Sequence, residues 1–299
     1  MELLLGGIQV TLRHNLGVLL LCDVLILILN LMVILIILMS ERFRSSTKHL
    51  LIVNLAFADL LIGAIVIPLY ADYGEKGEWQ FPCALRNALT LLQINILPSI
   101  TTLCVFVINM DYVFRMGCYL YTNGKTKYVM SGSMGILPWL ISGALLVPLY
   151  FMATEPGRPY DVLPCVRRYK EDVTALLLIA FSFFPQSFVI MVTGIASVIG
   201  YLIKRRSTGL DMFGERIHSP VDISMVSFVT ILFYTPYFCL AVPVNRISCS
   251  TSSECEVLHT IGIMASWLFV IKSFVVPLCW FCSRDFRAAF RNICCWCCC

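Results

Sequence analysis

Apolar residues gather in seven long blocks, near 17–40, 49–70, 86–114, 129–151, 173–203, 221–244 and 258–281, with short polar segments between them. Each block is apolar all round rather than along one stripe. A helix crosses the hydrocarbon core of a bilayer with about 20 such residues. In lipid the backbone must satisfy its own polar groups, so blocks of this kind are helical. A barrel would instead show alternating segments of about 10 residues. The pattern predicts an all-α fold: one seven-transmembrane bundle over 1–299, followed by a short amphipathic helix at 283–293 lying along the membrane.

Composition sharpens this picture. Hydrophobic residues make up 59% of the chain and charged residues 13%, against about 25% charged in a soluble domain. The net charge of +4 gives no case for nucleic acid. The apolar patch Leu3 to Leu5 is too short for the core of a signal peptide, so the first span is expected to act as the targeting signal. The chain has no Asn-x-Ser/Thr acceptor for N-glycosylation.

Basic residues set the expected orientation. With the amino terminus outside, the inner loops and tail hold thirteen: Arg42, Arg44, Lys48, Arg115, Lys125, Lys127, Lys204, Arg205, Arg206, Arg216, Arg284, Arg287 and Arg291. The outer side holds eight, Arg13, Lys76, Arg86, Arg158, Arg167, Arg168, Lys170 and Arg246. The excess favours an inner carboxyl terminus in a plasma-membrane protein. Cys83, Cys165, Cys249 and Cys255 all fall on the outer side, where disulfides persist. A bridge from Cys83 to Cys165 would tie the long outer loop to the third span; four free thiols are the alternative. Cys22, Cys104, Cys118, Cys239, Cys279 and Cys282 read as small packing residues. In the tail, Cys294, Cys295, Cys297, Cys298 and Cys299 stand near Arg287 and Arg291. They suit S-acylation, which would hold the stretch 283–293 against membrane lipid. Trp296 occupies the place a prenylated cysteine would need, and the spacing is poor for a zinc cluster.

The polar landmarks inside the spans are sparse. Asn30 lies in the first. The second reads Asn54-Leu55-Ala56-Phe57-Ala58-Asp59-Leu60-Leu61. Trp139 and Pro185 mark the fourth and fifth. The sixth carries Phe233-Tyr234-Thr235-Pro236, the seventh Val276-Pro277-Leu278-Cys279-Trp280, and Asp285-Phe286-Arg287-Ala288-Ala289-Phe290 follows. Together with Cys83 and Cys165, these blocks resemble the rhodopsin-like family of G-protein-coupled receptors over nearly the whole chain. The resemblance implies an extracellular ligand and a heterotrimeric G protein as partners, with no cofactor. It also departs from the family in three places. The Asp-Arg-Tyr motif falls on Asn109-Met110-Asp111 or on Met110-Asp111-Tyr112, and neither register has a central arginine; Arg115 lies about one turn further on. In the family that arginine engages the G protein and helps hold the resting state. The family's Asn-Pro-x-x-Tyr is Val-Pro-Leu-Cys-Trp, and Tyr234 stands where a tryptophan is usual.

Asp23, Asp59 and Lys272 are ionisable and lie within spans, where an isolated charge costs roughly 2.5–3.5 kcal/mol on insertion scales. They must face inward and find partners. The resemblance matches Asp59 to the carboxylate of the family's sodium pocket. It matches Asn95 and Ser99, which share a helix face, to pocket positions on the third helix, and Lys272, with Ser273 next to it, to the seventh-helix asparagine. On that reading the Lys272 ammonium fills the sodium site and pairs with Asp59. Pairing with Asp23, or snorkelling into a wet cavity, are the alternatives. The family's retinal-binding lysine would fall on Val270, and Lys272 is about 200° round the helix from it, so a retinal Schiff base is not expected.

By the same carry-over, Leu92, Gln93, Leu177, Phe181, Tyr234, Tyr237, Phe238, Ser266 and Trp267 line the ligand pocket. Leu92 stands where amine receptors place an aspartate. The lining suits a small apolar or weakly polar ligand. The tail has no Ser or Thr after Ser283, so Ser207, Thr208 and Ser219 are the remaining sites for phosphorylation on the inner side. Three functions follow: a receptor that couples to a G protein, a receptor-shaped protein that couples weakly, and a transporter or ion-conducting bundle. The odd span count and the lack of an internal repeat argue against the third. The chain has no H-E-x-x-H, P-loop or G-x-S-x-G motif of an enzyme.

Overall fold

The protein is described by a computed structural model covering residues 2–44, 46–76, 78–117, 124–156, 167–207, 219–241 and 252–297. Side chains at 2–15, 42, 115–117, 124–131, 168–169, 172, 175–176, 179, 241, 252–256, 258–259, 262–263 and 294–297 lie outside that description. The first helix runs Glu2–Met39, and a single turn, Glu41–Arg44, leads to the second. The second comprises Thr47–Leu61, a wider π-type turn Ile62–Val66, and Ile67–Lys76. The third comprises Cys83–Leu91, a π-type turn Leu92–Ile96, and Leu97–Gly117. The fourth is Gly124–Ala153 and the fifth Asp172–Ser207. The sixth is Val221–Pro236 with a π-type turn Tyr237–Ala241, the seventh Ser252–Trp280 and the eighth Arg284–Cys297.

Six described helices are long and apolar enough to cross a membrane, from Leu16–Met39 to Val221–Leu240. The seventh, described without a break over Met264–Trp280, meets Arg284–Ile293 at a bend of 87°. The first helix begins at Glu2, well before its apolar block near 17–40, and the second, third, fourth, fifth and seventh also run past their blocks at one end or both. The sequence pattern also gave no warning of a two-residue antiparallel pairing, Thr154–Glu155 with Arg168–Tyr169. Arg167 holds it in place, donating from Nε to Thr154 Oγ1 at 2.7 Å and from Nη2 to the Thr154 carbonyl at 2.9 Å.

The third helix is the axis of the bundle. It packs on the second, fourth, fifth and sixth, while the seventh packs on the first and sixth. Of its most apolar stretch 67% is buried inside the protein, against 17% for the fifth, so the fifth gives most of its surface to lipid. Without a hydrophobic drive between helices in lipid, close packing and polar ties hold them together. Asn54 donates to the Gly135 carbonyl of the fourth helix, and Phe57 meets Trp139 at 5.8 Å between ring centroids. Gly63 lets the first and second helices approach: a Cβ there would stand 3.1 Å from Ile26 and 3.2 Å from Asp23 Oδ1. The eighth helix is pinned by its aromatic face. Phe286 stacks on Phe43, which stacks on His49, and Phe281 meets both Phe286 and Phe290. Arg287 closes the corner by donating to the carbonyls of Phe281 and Cys282.

Candidate functional site

The centre of the bundle holds a buried charge pair. Lys272 Nζ lies 2.6 Å from Asp59 Oδ1, and both side chains are 0% exposed. Ser273 Oγ donates to the same carboxylate oxygen at 3.0 Å. The ammonium also reaches the Tyr234 hydroxyl at 3.2 Å and sits 5.0 Å from that ring's centroid. Asn30 completes the group, donating to the Ser273 carbonyl at 2.9 Å. The second, sixth, seventh and first helices therefore meet around one cation. A primary ammonium has three donors, and here two of them are met by Asp59 and Tyr234. Asp23 is not the partner of Lys272; it is buried against Gly63, and its Oδ1 has no hydrogen-bond partner among the described residues.

The third helix presents other residues to this centre than the family carry-over implied. Asn95 accepts a hydrogen bond from Ser182 Oγ at 3.0 Å, and Ser99 accepts one from Ser142 Oγ at 2.9 Å. Both therefore face the fifth and fourth helices. Thr101 stands beside the Tyr234 hydroxyl, and Cys104 lies near both charges. Thr101 is about 200° round from Ser99, so the face that meets Asp59 is opposite the one that carries the serine. The polar residues Asn95 and Ser99 tie the bundle together instead.

An aromatic cluster covers the pair towards the Cys83 end. Tyr234 stacks on Phe269 at 5.4 Å, Phe238 stacks on Phe183 at 4.7 Å, and Tyr237 contacts both Phe238 and Phe269. Of the expected pocket residues, Tyr234, Tyr237 and Phe238 are buried within this cluster. Leu92, Gln93, Ser266 and Trp267 are half-buried. Leu177 and Phe181 are 46% and 43% exposed and lie on the outward face of the fifth helix. The inward positions are Leu178, Ser182 and Phe183, all buried. A shift of one residue turns a side chain by about 100°, and Ser182, a hydroxyl in an apolar helix, was the signal that could have fixed the face.

At the tail end, the sixth helix is tied twice. Lys48 Nζ lies 2.6 Å from Asp222 Oδ2, with the side chains 23% and 6% exposed. The other oxygen of Asp222 accepts from the Ile223 amide at 2.9 Å, and a carboxylate in the first turn of a helix also suits its dipole. Asn109 Nδ2 donates to Ser227 Oγ at 2.9 Å. Asn109 and Asp111 are buried, while Met110 and Tyr112 are half-buried. Asn109 is thus a residue by which the third helix holds the sixth, in a stretch that carries no arginine in either register. The Arg115 side chain lies outside the described residues.

Cys83 is disulfide-bonded. Cys165, Cys249 and the side chains of Cys255, Cys294, Cys295, Cys297, Cys298 and Cys299 lie outside the described residues. Among the described residues no group of three or more His, Cys, Asp or Glu side chains could hold a metal ion.

A family model described as "7 transmembrane receptor (rhodopsin family)" matches residues 29–280. The chain is 27% identical over 244 residues to the C-X-C chemokine receptor type 2 of Canis lupus familiaris, covering 80% of this chain and 66% of that one. The Bos taurus receptor of the same name is 25% identical over 220 residues, covering 72% and 59% respectively. The tyramine receptor tyra-2 of Caenorhabditis elegans is 30% identical over 122 residues, covering 40% of this chain and 25% of that one. The chain thus spans about two thirds or less of the length of these relatives.

Proposed function

Because the chain belongs to the rhodopsin family of seven-transmembrane receptors, we propose that it carries a ligand signal across the plasma membrane, with its amino terminus outside and its tail in the cytoplasm. The observation that supports this most is the position of Tyr234. Its ring belongs to the aromatic cluster beneath the outer mouth, and its hydroxyl touches Lys272, which is bound to Asp59. A ligand that moves the cluster moves the sixth helix against a buried charge pair shared by the second and seventh. Differential ligand affinity for two such helix arrangements is the thermodynamic source of signalling.

Lys272 takes the place of a diffusible cation in this reading. Its ammonium neutralises Asp59 permanently, so sodium has no site to occupy. The ligand is small and largely apolar, because the lining offers aromatic rings and few polar groups, and Leu92 leaves a protonated amine without a counter-ion.

Weak coupling is the second reading, favoured by the inner ends of the helices. The third helix brings Asn109 rather than an arginine to the sixth, and Lys48–Asp222 adds an ion pair. The test is nucleotide exchange by purified heterotrimeric G proteins on the full chain in lipid nanodiscs, beside variants carrying Met110→Arg or Asp111→Arg. Exchange above the empty-disc rate with the parent supports a coupling receptor. Exchange only with an arginine variant supports the weakly coupled one. The tail carries no hydroxyl after Ser283, so mass spectrometry after stimulation is expected to find phosphate on Ser207, Thr208 or Ser219 and none beyond residue 283.

A further inference from the structure

Arg86 is a charged residue in an unusual place. It lies in the first turn of the third helix, which begins at Cys83, and is only 3% exposed. Its guanidinium is packed against two aromatic rings, 4.9 Å from the centroid of Tyr73 and 5.5 Å from that of Trp79. Its Nη2 is buried with no hydrogen-bond partner among the described residues. Tyr70 and Thr90 stand close by, but they carry no charge. Asp72, on the same rim, is paired through Oδ1 with Lys76 at 2.6 Å; its Oδ2 has no hydrogen-bond partner among the described residues, Arg86 included.

Aromatic faces attract a guanidinium but leave its edge unsatisfied. The N–H donors lie in the plane of the group and need acceptors in that plane. A cation taken out of water without an anion is costly, and the start of a helix adds positive potential to its surroundings. Burial, the unmet donor and the helix end all call for the same complement: an anion whose oxygens lie in the guanidinium plane. A carboxylate has that geometry and pairs with arginine through two parallel hydrogen bonds. With one base unpaired among the described residues, a single negative charge balances it.

We propose that Arg86 is the anchor of an anion subsite at the outer mouth, and that it takes the carboxylate of a free ligand whose remaining body is apolar. This rests on the receptor reading for the side from which the ligand arrives, and it gives that ligand its charged end. The carboxylate binds the edge of Arg86, Trp79 lies over it from the segment joining the second and third helices, and the apolar body extends towards the half-buried Leu92 and Trp267.

Trp79 supplies a local reporter, isolated by subtracting the emission of a Trp79→Phe variant. The full chain is placed in nanodiscs of phosphatidylcholine alone, which has no net charge, and titrated with oleate or with oleyl alcohol. The expected result is a saturable change in Trp79 emission with oleate and none with the alcohol. Arg86→Gln is expected to weaken half-saturation by about tenfold or more, as loss of a charge-assisted pair does. No response to oleate, an equal response to the alcohol, or unchanged affinity in folded Arg86→Gln would overturn the proposal. Competition from phosphatidylserine added to the discs would also overturn it, by giving the site to a lipid headgroup. If Arg86→Gln does not fold, the comparison of oleate with its alcohol on the parent still decides. The readout is binding, so a negative result leaves the nucleotide-exchange test of the receptor reading untouched.

Discussion

Lys272→Met is expected to destabilise the bundle by about 3–5 kcal/mol, the usual cost of leaving one member of a buried ion pair without its partner. Both side chains are fully enclosed, so neither water nor lipid headgroups can compensate Asp59. Among the described residues Asp59 Oδ2 already has no hydrogen-bond partner, and the loss would leave Ser273 alone to satisfy the carboxylate. Asp59→Asn should cost a similar amount, because it strands the ammonium against Tyr234. The double variant, Asp59→Asn with Lys272→Met, is expected to recover most of the loss, since neither charge then remains. Thermal unfolding of the purified chain measures all four states of this cycle. Independent, additive losses would mean that the two residues contribute through packing alone.

Lys48→Gln is expected to loosen the sixth helix at its Asp222 end. The pair with Asp222 is short but partly open to solvent on the Lys48 side, which puts it between a surface ion pair and a buried one, at about 1–2 kcal/mol. That corresponds to about a five- to thirtyfold change in the balance between tied and untied arrangements. Nucleotide exchange without ligand should rise accordingly. Asn109→Ala removes the second tie, to Ser227, and the two substitutions together should raise the rate further than either alone. The glutamine variant keeps the helical start of Asp222 intact, because that carboxylate still accepts from Ile223. Unchanged basal exchange in a folded double variant, made on whichever background drives exchange, would show that these contacts do not restrain the sixth helix.

The bundle was legible in the sequence because lipid leaves the backbone few choices. Long apolar blocks must be helices, and Lys272 must turn inward, whatever the details of packing. The pairing with Asp59 followed from the same constraint together with the family resemblance. Which way individual residues face was harder to read. Asn95 and Ser99 share a face, as their spacing requires, but spacing alone does not say which neighbour that face meets. Leu177 and Phe181 likewise share a face, and it is the one turned to lipid. The π-type turns at Ile62–Val66, Leu92–Ile96 and Tyr237–Ala241 shift the register of everything beyond them without a residue pattern to announce them. Arg86 read as one more outer base, because its burial depends on Tyr73 and Trp79, which only the fold brings to it. Lys48 and Asp222 lie far apart in sequence, each at the start of its helix, and nothing around either marks them as partners.

Sodium dependence tests the central claim most directly, that a covalent cation occupies the site beside Asp59. The thermal midpoint of the purified parent, measured in sodium chloride and in potassium chloride of equal concentration, should be the same in both. Lys272→Asn should be less stable than the parent in potassium and should gain stability as sodium replaces it. A parent that is clearly more stable in sodium than in potassium would contradict the claim, because Asp59 would then have room for an ion that Lys272 is said to replace.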